Sequence, residues 1–350
     1  MSKNYTLGVE EEYLLLQLLN LTQGFMTDEF FQNLEAGNHS PILGTEVMDS
    51  HLEARTPVCD NVREVAITVK AMRKLAMRVT SGYGLTIASS ATLPVIDWQK
   101  VNILPLEQVQ EMTTKFGDTF KSQNIAGLHI HAGVGGLLED SLNVINHMRW
   151  FLWIFAALSG SSRYYNGRDT GVSSYRLALM KQTGRTGLPP LYATKEDYLA
   201  EANALKQCGW SANKLWYYIR YNPTTETVEL RICDSVPNTE DIVALVELFH
   251  NMVKAIDEGN LHAPSMKGVA FNLFAQENID RAMCDGTNAV DAFTDLSIQD
   301  TLKSLPIDIP QGIWNILERG NTSEILQPIW QKYGSEGVTE YVATETVRNL

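Results

Sequence analysis

The chain has 350 residues, roughly twice a common domain length, with 44% hydrophobic, 20% charged and 9% aromatic residues. That composition can bury a sizeable core and excludes a disordered chain. Its 41 acidic and 28 basic side chains give a net charge of −13, which argues against a nucleic-acid partner, because the phosphate lattice would repel it.

From the N-terminus, Thr6 to Leu16 reads as a strand, and no secretory signal is readable in Met1 to Glu12. Asp60 is an expected N-cap for a helix whose apolar stripe is Val62, Val65, Ala66, Val69, Met72, Ala76 and Val79. Gly84 to Ala91 and Ala126 to Val134 read as strands, and Ser141 to Leu158 as a helix. The apolar run Trp150 to Leu158 is about half the length of a membrane span, so it predicts a buried helix and no membrane association. Thr194 and Asp197 form a capping-box pattern for a helix that Gly209 would close. Lys214 to Tyr221 and Thr227 to Asp234 read as two strands of a hairpin across Asn222 and Pro223, followed by a helix over Thr239 to Glu258. Gly160 to Ser174, Thr183 to Pro190 and Leu302 to Gln311 read as loops too short for domain linkers. The expectation is one α+β domain over residues 1–350, with a largely antiparallel sheet. Cys59, Cys208, Cys233 and Cys284 show no paired spacing, which points to free thiols and a cytoplasmic setting.

Four strand-like segments carry polar residues where a core would not choose them. In Gly8-Val9-Glu10-Glu11-Glu12, Glu10 and Glu12 share one strand face, roughly 6–7 Å apart by strand rise. They are either a solvated strand end or a pair held by a hard cation such as Mg2+. His129 and His131 share the face opposite Leu128, Ile130 and Ala132, and suit a metal or a phosphate as well as a half-exposed strand. Glu229 and Arg231 point together, away from Val228, Leu230 and Ile232. They read as a surface ion pair, or as a metal ligand beside a phosphate-clamping guanidinium. Glu46 and Glu53 are seven apart, so simple alternation puts them on opposite faces unless a turn intervenes.

These blocks together resemble glutamate–cysteine ligase family 2, in its carboxylate–amine ligase branch. The resemblance is carried by GVEEEYLLL, EARTPVC, GLHIHAGV, GRDTGVSSYR, TGLPP and LWYYIRYNPTTETVELRICD in order from Leu7 to Asp234, and by a weaker tail from Arg319 to Glu345. It implies a glutamine-synthetase-like catalytic domain with flanking helices, using ATP and Mg2+ to join a small carboxylate such as glutamate to an amine. It implies metal binding by Glu10, Glu12, Glu46, Glu53, His129 and Glu229, with Glu229 and Arg231 as the catalytic pair. It further implies ATP or substrate contacts from His129, His131, Arg168 and Arg176.

Two departures stand out: Thr92-Leu93-Pro94 replaces a histidine–proline pair, and the segment from Val269 to Glu277 keeps Asn272 but lacks the acid and the basic run around it. Two other readings are therefore carried, a guanidino kinase-like phosphotransferase and a non-catalytic nucleotide-binding homologue. An apolar surface helix could make a homodimer.

Overall fold

A computed structural model describes residues 3–37, 42–210, 215–266, 268–348 and 350. Its centre is a seven-stranded sheet built from β1 (Leu7–Gln17), β2 (Leu43–Thr45), β3 (His51–Arg55), β4 (Leu85–Ala88), β5 (Leu128–Gly133), β6 (Ile219–Asn222) and β7 (Thr227–Leu230). The strand order is β6-β7-β5-β1-β3-β2, and β4 pairs the C-terminal half of β1. Every ladder in this sheet is antiparallel, as expected for an α+β chain with a hairpin over Asn222 and Pro223.

Period-2 alternation on β1 decides which side is core. Leu7 and Val9 join the main apolar cluster, and Tyr13 and Leu15 a second one, while Glu10 and Glu12 face the other way. Leu128, Ile130 and Ala132 of β5 and Val228 and Leu230 of β7 continue the apolar face. Against it pack the helices Leu138–Ser159 and Thr239–Asp257. The run from Trp150 to Leu158 is buried throughout, as its composition predicts, and each fully buried Leu or Phe contributes about 1.5–3 kcal/mol. No described helix is long and apolar enough to cross a membrane.

The helix Val62–Ser81 buries Val65, Val69, Met72, Ala76 and Val79, but it is capped by Asn61 and not by Asp60. Asn61 has extended backbone and its Oδ1 accepts from the Glu64 N–H at 3.0 Å, while Glu64 Oε2 reaches back to the Asp60 N–H at 2.9 Å. The same stripe buries a charge: Arg73 is wholly enclosed and donates to both carboxylate oxygens of Glu11. Thr194 and Asp197 form the expected capping box, and Gly209, at φ 81°, follows that helix.

All three loop expectations are corrected. Within Gly160 to Ser174, Tyr164–Tyr165 pairs antiparallel with Arg168–Asp169. Leu302 belongs to a helix, Ile298–Ser304, because Ser297 caps it through the Asp300 N–H. Within Thr183 to Pro190, Thr186–Gly187 pairs in parallel with Trp216–Tyr217. Lys214, the expected start of that strand, lies outside the described residues.

Candidate active site

Antiparallel register turns the polar face of the sheet into an ordered grid. Glu10 stands beside His129 of β5 and Arg55 of β3, and Glu12 stands beside Glu53. One row away, Gly8, His131, Glu229 and Arg220 follow one another across four strands. Gly8 contributes no side chain beside His131, whose Nε2 lies 3.6 Å from a Glu10 carboxylate oxygen.

Glu46 reaches the grid by the intervening turn. After β2, residues 46–50 reverse direction, with Asp49 accepting from the backbone N–H and the carboxamide of Asn102 at 2.9 and 2.8 Å. That turn cancels the odd spacing, and carboxylate oxygens of Glu12, Glu46 and Glu53 lie within 4.8 Å of one another. Ligand atoms of Glu10, His131 and Glu229 form a second group within the same limit.

The electrostatics explain why this face suits a cation. Burial, then the charges of Glu46 and Glu10, push the Glu53 carboxyl well above its ordinary range, and burial also raises Glu12. Burial would raise Glu10 as well, but the hydrogen bond with His129 Nδ1 at 3.2 Å and the nearby His131 imidazole hold it low. His129 is lowered by burial and then by Arg231, which keeps its imidazole neutral with a lone pair to offer. The buried Nε2 atoms of His129 and His131 make no hydrogen bond; each lies 3.6 Å from a carboxylate oxygen, of Glu12 and Glu10 respectively. That separation is too long for a hydrogen bond and leaves room for a shared hard cation.

Glu229 is fully buried, and burial would raise it, yet the charges of Arg231 and Arg220 hold it low. Arg220 donates to both of its oxygens at 2.9 and 3.2 Å, Asn222 adds a bond at 2.8 Å, and Arg231 Nη1 supplies a fourth donor. A carboxylate offers about four acceptor positions, so a cation on Glu229 must exchange with one of these donors.

Arg176, at the start of the short helix Tyr175–Met180, is 3% exposed and lies over β5. Gly127 makes this approach possible, since a Cβ there would clash with Arg176 Nη2. The structure brings Glu10, Glu12, Glu46, Glu53, His129, His131, Arg176, Glu229 and Arg231 to one face. Arg168 is not brought there: it sits on an exposed hairpin and donates to Tyr175 Oη at 3.3 Å. Cys233, next but one to Arg231, is buried with its thiol pushed up to about 12 by burial, which leaves no thiolate for nucleophilic chemistry. All four cysteines are free.

The sequence profile of glutamate–cysteine ligase family 2 matches residues 6–339. The chain belongs to that family. Membership places it among the carbon–nitrogen ligases that join carboxylates to amines. A protein of Sorangium cellulosum named "Putative glutamate–cysteine ligase 2" is 30% identical over 282 residues, covering 79% of this chain and 73% of its own. One of the same name from Bradyrhizobium diazoefficiens is 26% identical over 98% of this chain and 84% of its own. Among solved structures, the glutamate–cysteine ligase of Francisella tularensis, determined with AMP, matches at a TM-score of 0.69 and 12% identity, over 99% of this chain and 90% of that one. The bifunctional glutathione synthetase of Pasteurella multocida matches at 0.66 and 11% identity over 98% of this chain, which spans about half the length of that protein. These two likenesses establish a shared fold, in agreement with the α+β expectation.

Two residues of the grid, Arg55 and Arg220, stand inside the shared blocks but are assigned no role from the sequence. Arg220 was legible in principle, because counting outward from the Pro223–Glu226 turn pairs it with Glu229. Arg55 contacts Glu53 and lies 3.8 Å from Glu10, and only the β1–β3 pairing reveals it. The expected consequence of the carboxylate grouping is measurable. Glu12→Gln keeps volume and the hydrogen bond to Gly127 but removes a charge, so Mn2+ affinity read by electron paramagnetic resonance should fall about tenfold or more. Unchanged affinity in a folded variant would exclude this group as a cation site.

Proposed function

We propose that the protein is an ATP-dependent carboxylate–amine ligase, a single catalytic domain that joins the side-chain carboxylate of glutamate to cysteine or another amine through an acyl phosphate. The observation that carries this reading is the convergence, on one sheet face, of two groups of side chains able to hold a cation with the Arg231 guanidinium beside Glu229. A carboxylate is a poor acyl donor because its leaving oxygen is too basic. Transfer of the γ-phosphoryl group of ATP to that oxygen makes phosphate the leaving group, and attack by the amine then gives amide, ADP and phosphate.

Nucleotide, acid and site carboxylates are all negative, so neutralising charge is the main task of the site. Glu12, Glu46 and Glu53, and Glu10, His131 and Glu229, are the residues that would hold Mg2+, with His131 in the place expected for His129, which joins neither group. Bound there, Mg2+ would neutralise the phosphates and reverse the local field. Arg231 stabilises the moving phosphoryl group, and Arg220 and Asn222 keep Glu229 in place if Arg231 turns toward it. Arg176 holds a carboxylate.

Heavy-oxygen label tests the route. Acid labelled in its reacting carboxylate should pass label to inorganic phosphate in proportion to amide formed, and hydroxylamine should trap a hydroxamate. Label in AMP with release of pyrophosphate would mean adenylation instead. A stable phosphoguanidine would support the guanidino kinase, and ATP binding without turnover would support the non-catalytic homologue. Unlabelled phosphate beside genuine amide would end the acyl-phosphate mechanism.

A further inference from the structure

The two groups of acidic side chains on the grid differ in how their charge is met. In the group of Glu10, His131 and Glu229, Glu229 is held by both Arg220 and Arg231. In the other, Glu12, Glu46 and Glu53 bring carboxylate oxygens within 4.8 Å of one another. Apart from the His129 imidazole, 3.6 Å from Glu12, the basic side chain in ion-pair contact with this second group among the described residues is Arg55, which meets Glu53 through Nη2. Arg55 Nε also lies 3.8 Å from Glu10, its partner across the β1–β3 ladder. One guanidinium therefore stands against a carboxylate of each group.

That guanidinium is held less firmly than the acids it meets. The Arg55 backbone is fixed, since its N–H donates to the Ile42 carbonyl at 2.8 Å. Its side chain, however, is 49% exposed, whereas that of Glu53 is 5% exposed. A buried carboxylate without a countercharge is costly, and a long, half-exposed side chain can supply that charge and leave again without disturbing the strand. A divalent cation on Glu53 or Glu10 would meet the positive charge of Arg55 and repel it. A polyphosphate carried by the same cation would attract it, because a guanidinium fork matches phosphate oxygens.

We propose that Arg55 is a tethered counter-ion, which occupies the carboxylates of Glu53 and Glu10 until a divalent cation takes them and then turns to the polyphosphate of the bound nucleotide. This rests on the ligase reading and adds a regulation of its site. Metal alone is resisted, while metal arriving with nucleotide is favoured, so the two ligands bind with positive coupling.

The test is Arg55→Gln in the full chain, read by two binding measurements that should move in opposite directions. Mn2+ without nucleotide, followed by electron paramagnetic resonance, should bind about threefold tighter or more, the size expected when one half-exposed competing charge is removed. A non-hydrolysable ATP analogue at saturating Mg2+, followed by titration calorimetry, should bind about tenfold weaker, the usual loss for one hydrogen bond to a charged group. Arg55→Lys keeps the charge and should hold Mn2+ affinity at the parent value, with thermal melting reporting that both variants are folded. A guanidinium that merely kept the carboxylates in position would give the reverse sign, with Mn2+ bound more weakly in Arg55→Gln. Mn2+ affinity unchanged or weaker, or analogue affinity unchanged, would overturn the proposal and leave the ligase reading standing. A parent protein that binds neither Mn2+ nor the analogue would remove the ligase reading and this proposal with it.

Discussion

Replacing Arg231 by lysine is expected to lower turnover by about a thousandfold or more, with the fold intact. A guanidinium that stabilises a transferring phosphoryl group is worth about 10³–10⁵ in rate. Lysine keeps the charge but offers a point donor in place of a planar fork, so it cannot hold two phosphoryl oxygens at once. Folding should survive because Glu229 retains Arg220 and Asn222 when the Arg231 donor is lost. ATP affinity should change far less than kcat, because the loss is confined to the transition state. The measurement is a kcat and KM comparison for ADP release in the presence of hydroxylamine. A lysine variant within tenfold of the parent kcat would remove Arg231 from the phosphoryl-transfer step.

The second large effect is on stability. Glu11→Gln should cost about 3–5 kcal/mol, a large share of the total for a folded domain. Arg73 is wholly buried, and Glu11, also wholly buried, is its only carboxylate partner among the described residues. Removing that charge leaves a guanidinium enclosed without compensation. Arg73 also donates to the carbonyls of Val236 and Thr346, so it ties β1 to the chain after β7 and to the C-terminal helix. Changing both partners to apolar residues, Glu11→Leu with Arg73→Met, should therefore recover only part of the loss, since those carbonyls would stay unpaired. Urea denaturation followed by far-ultraviolet circular dichroism measures both. A Glu11→Gln midpoint equal to that of the parent would show that the pair carries no net stability.

This pair also bears on function. A strand that slips by one residue sends every side chain to the other face. Glu11 is locked to Arg73 on the helix side, so Glu10 and Glu12 are committed to the polar face. In the sequence, alternation with Leu7, Val9 and Tyr13 places Glu11 on the apolar face, where a carboxylate without a partner would be costly. Alternation separates Glu10 and Glu12 from Glu11, and the identity of the inward partner appears only when the Val62–Ser81 helix is laid across the sheet.

What the residues determine alone are the features that depend on neighbours along the chain. The period-2 patterns of β1, β5 and β7 assign Glu10 with Glu12, His129 with His131, and Glu229 with Arg231 to shared faces, because a strand's side chains alternate whatever it pairs with. The capping box at Thr194 and the burial of Trp150 to Leu158 are local in the same sense. The order of the family blocks identifies the family from the sequence.

Tertiary structure decides what depends on register and reversal. Glu46 and Glu53 meet Glu12 only because the turn at 46–50 is pinned by Asn102, a residue 53 positions from Asp49. Arg220 and Arg55 enter the site through pairing across strands, and Arg168, despite its place in a shared block, stays on an exposed hairpin. Arg176 is buried beside the sheet only where Gly127, lacking a Cβ, lets its guanidinium approach. Local sequence sets which face a side chain takes; the long-range contacts that set strand register decide which charges then stand beside it.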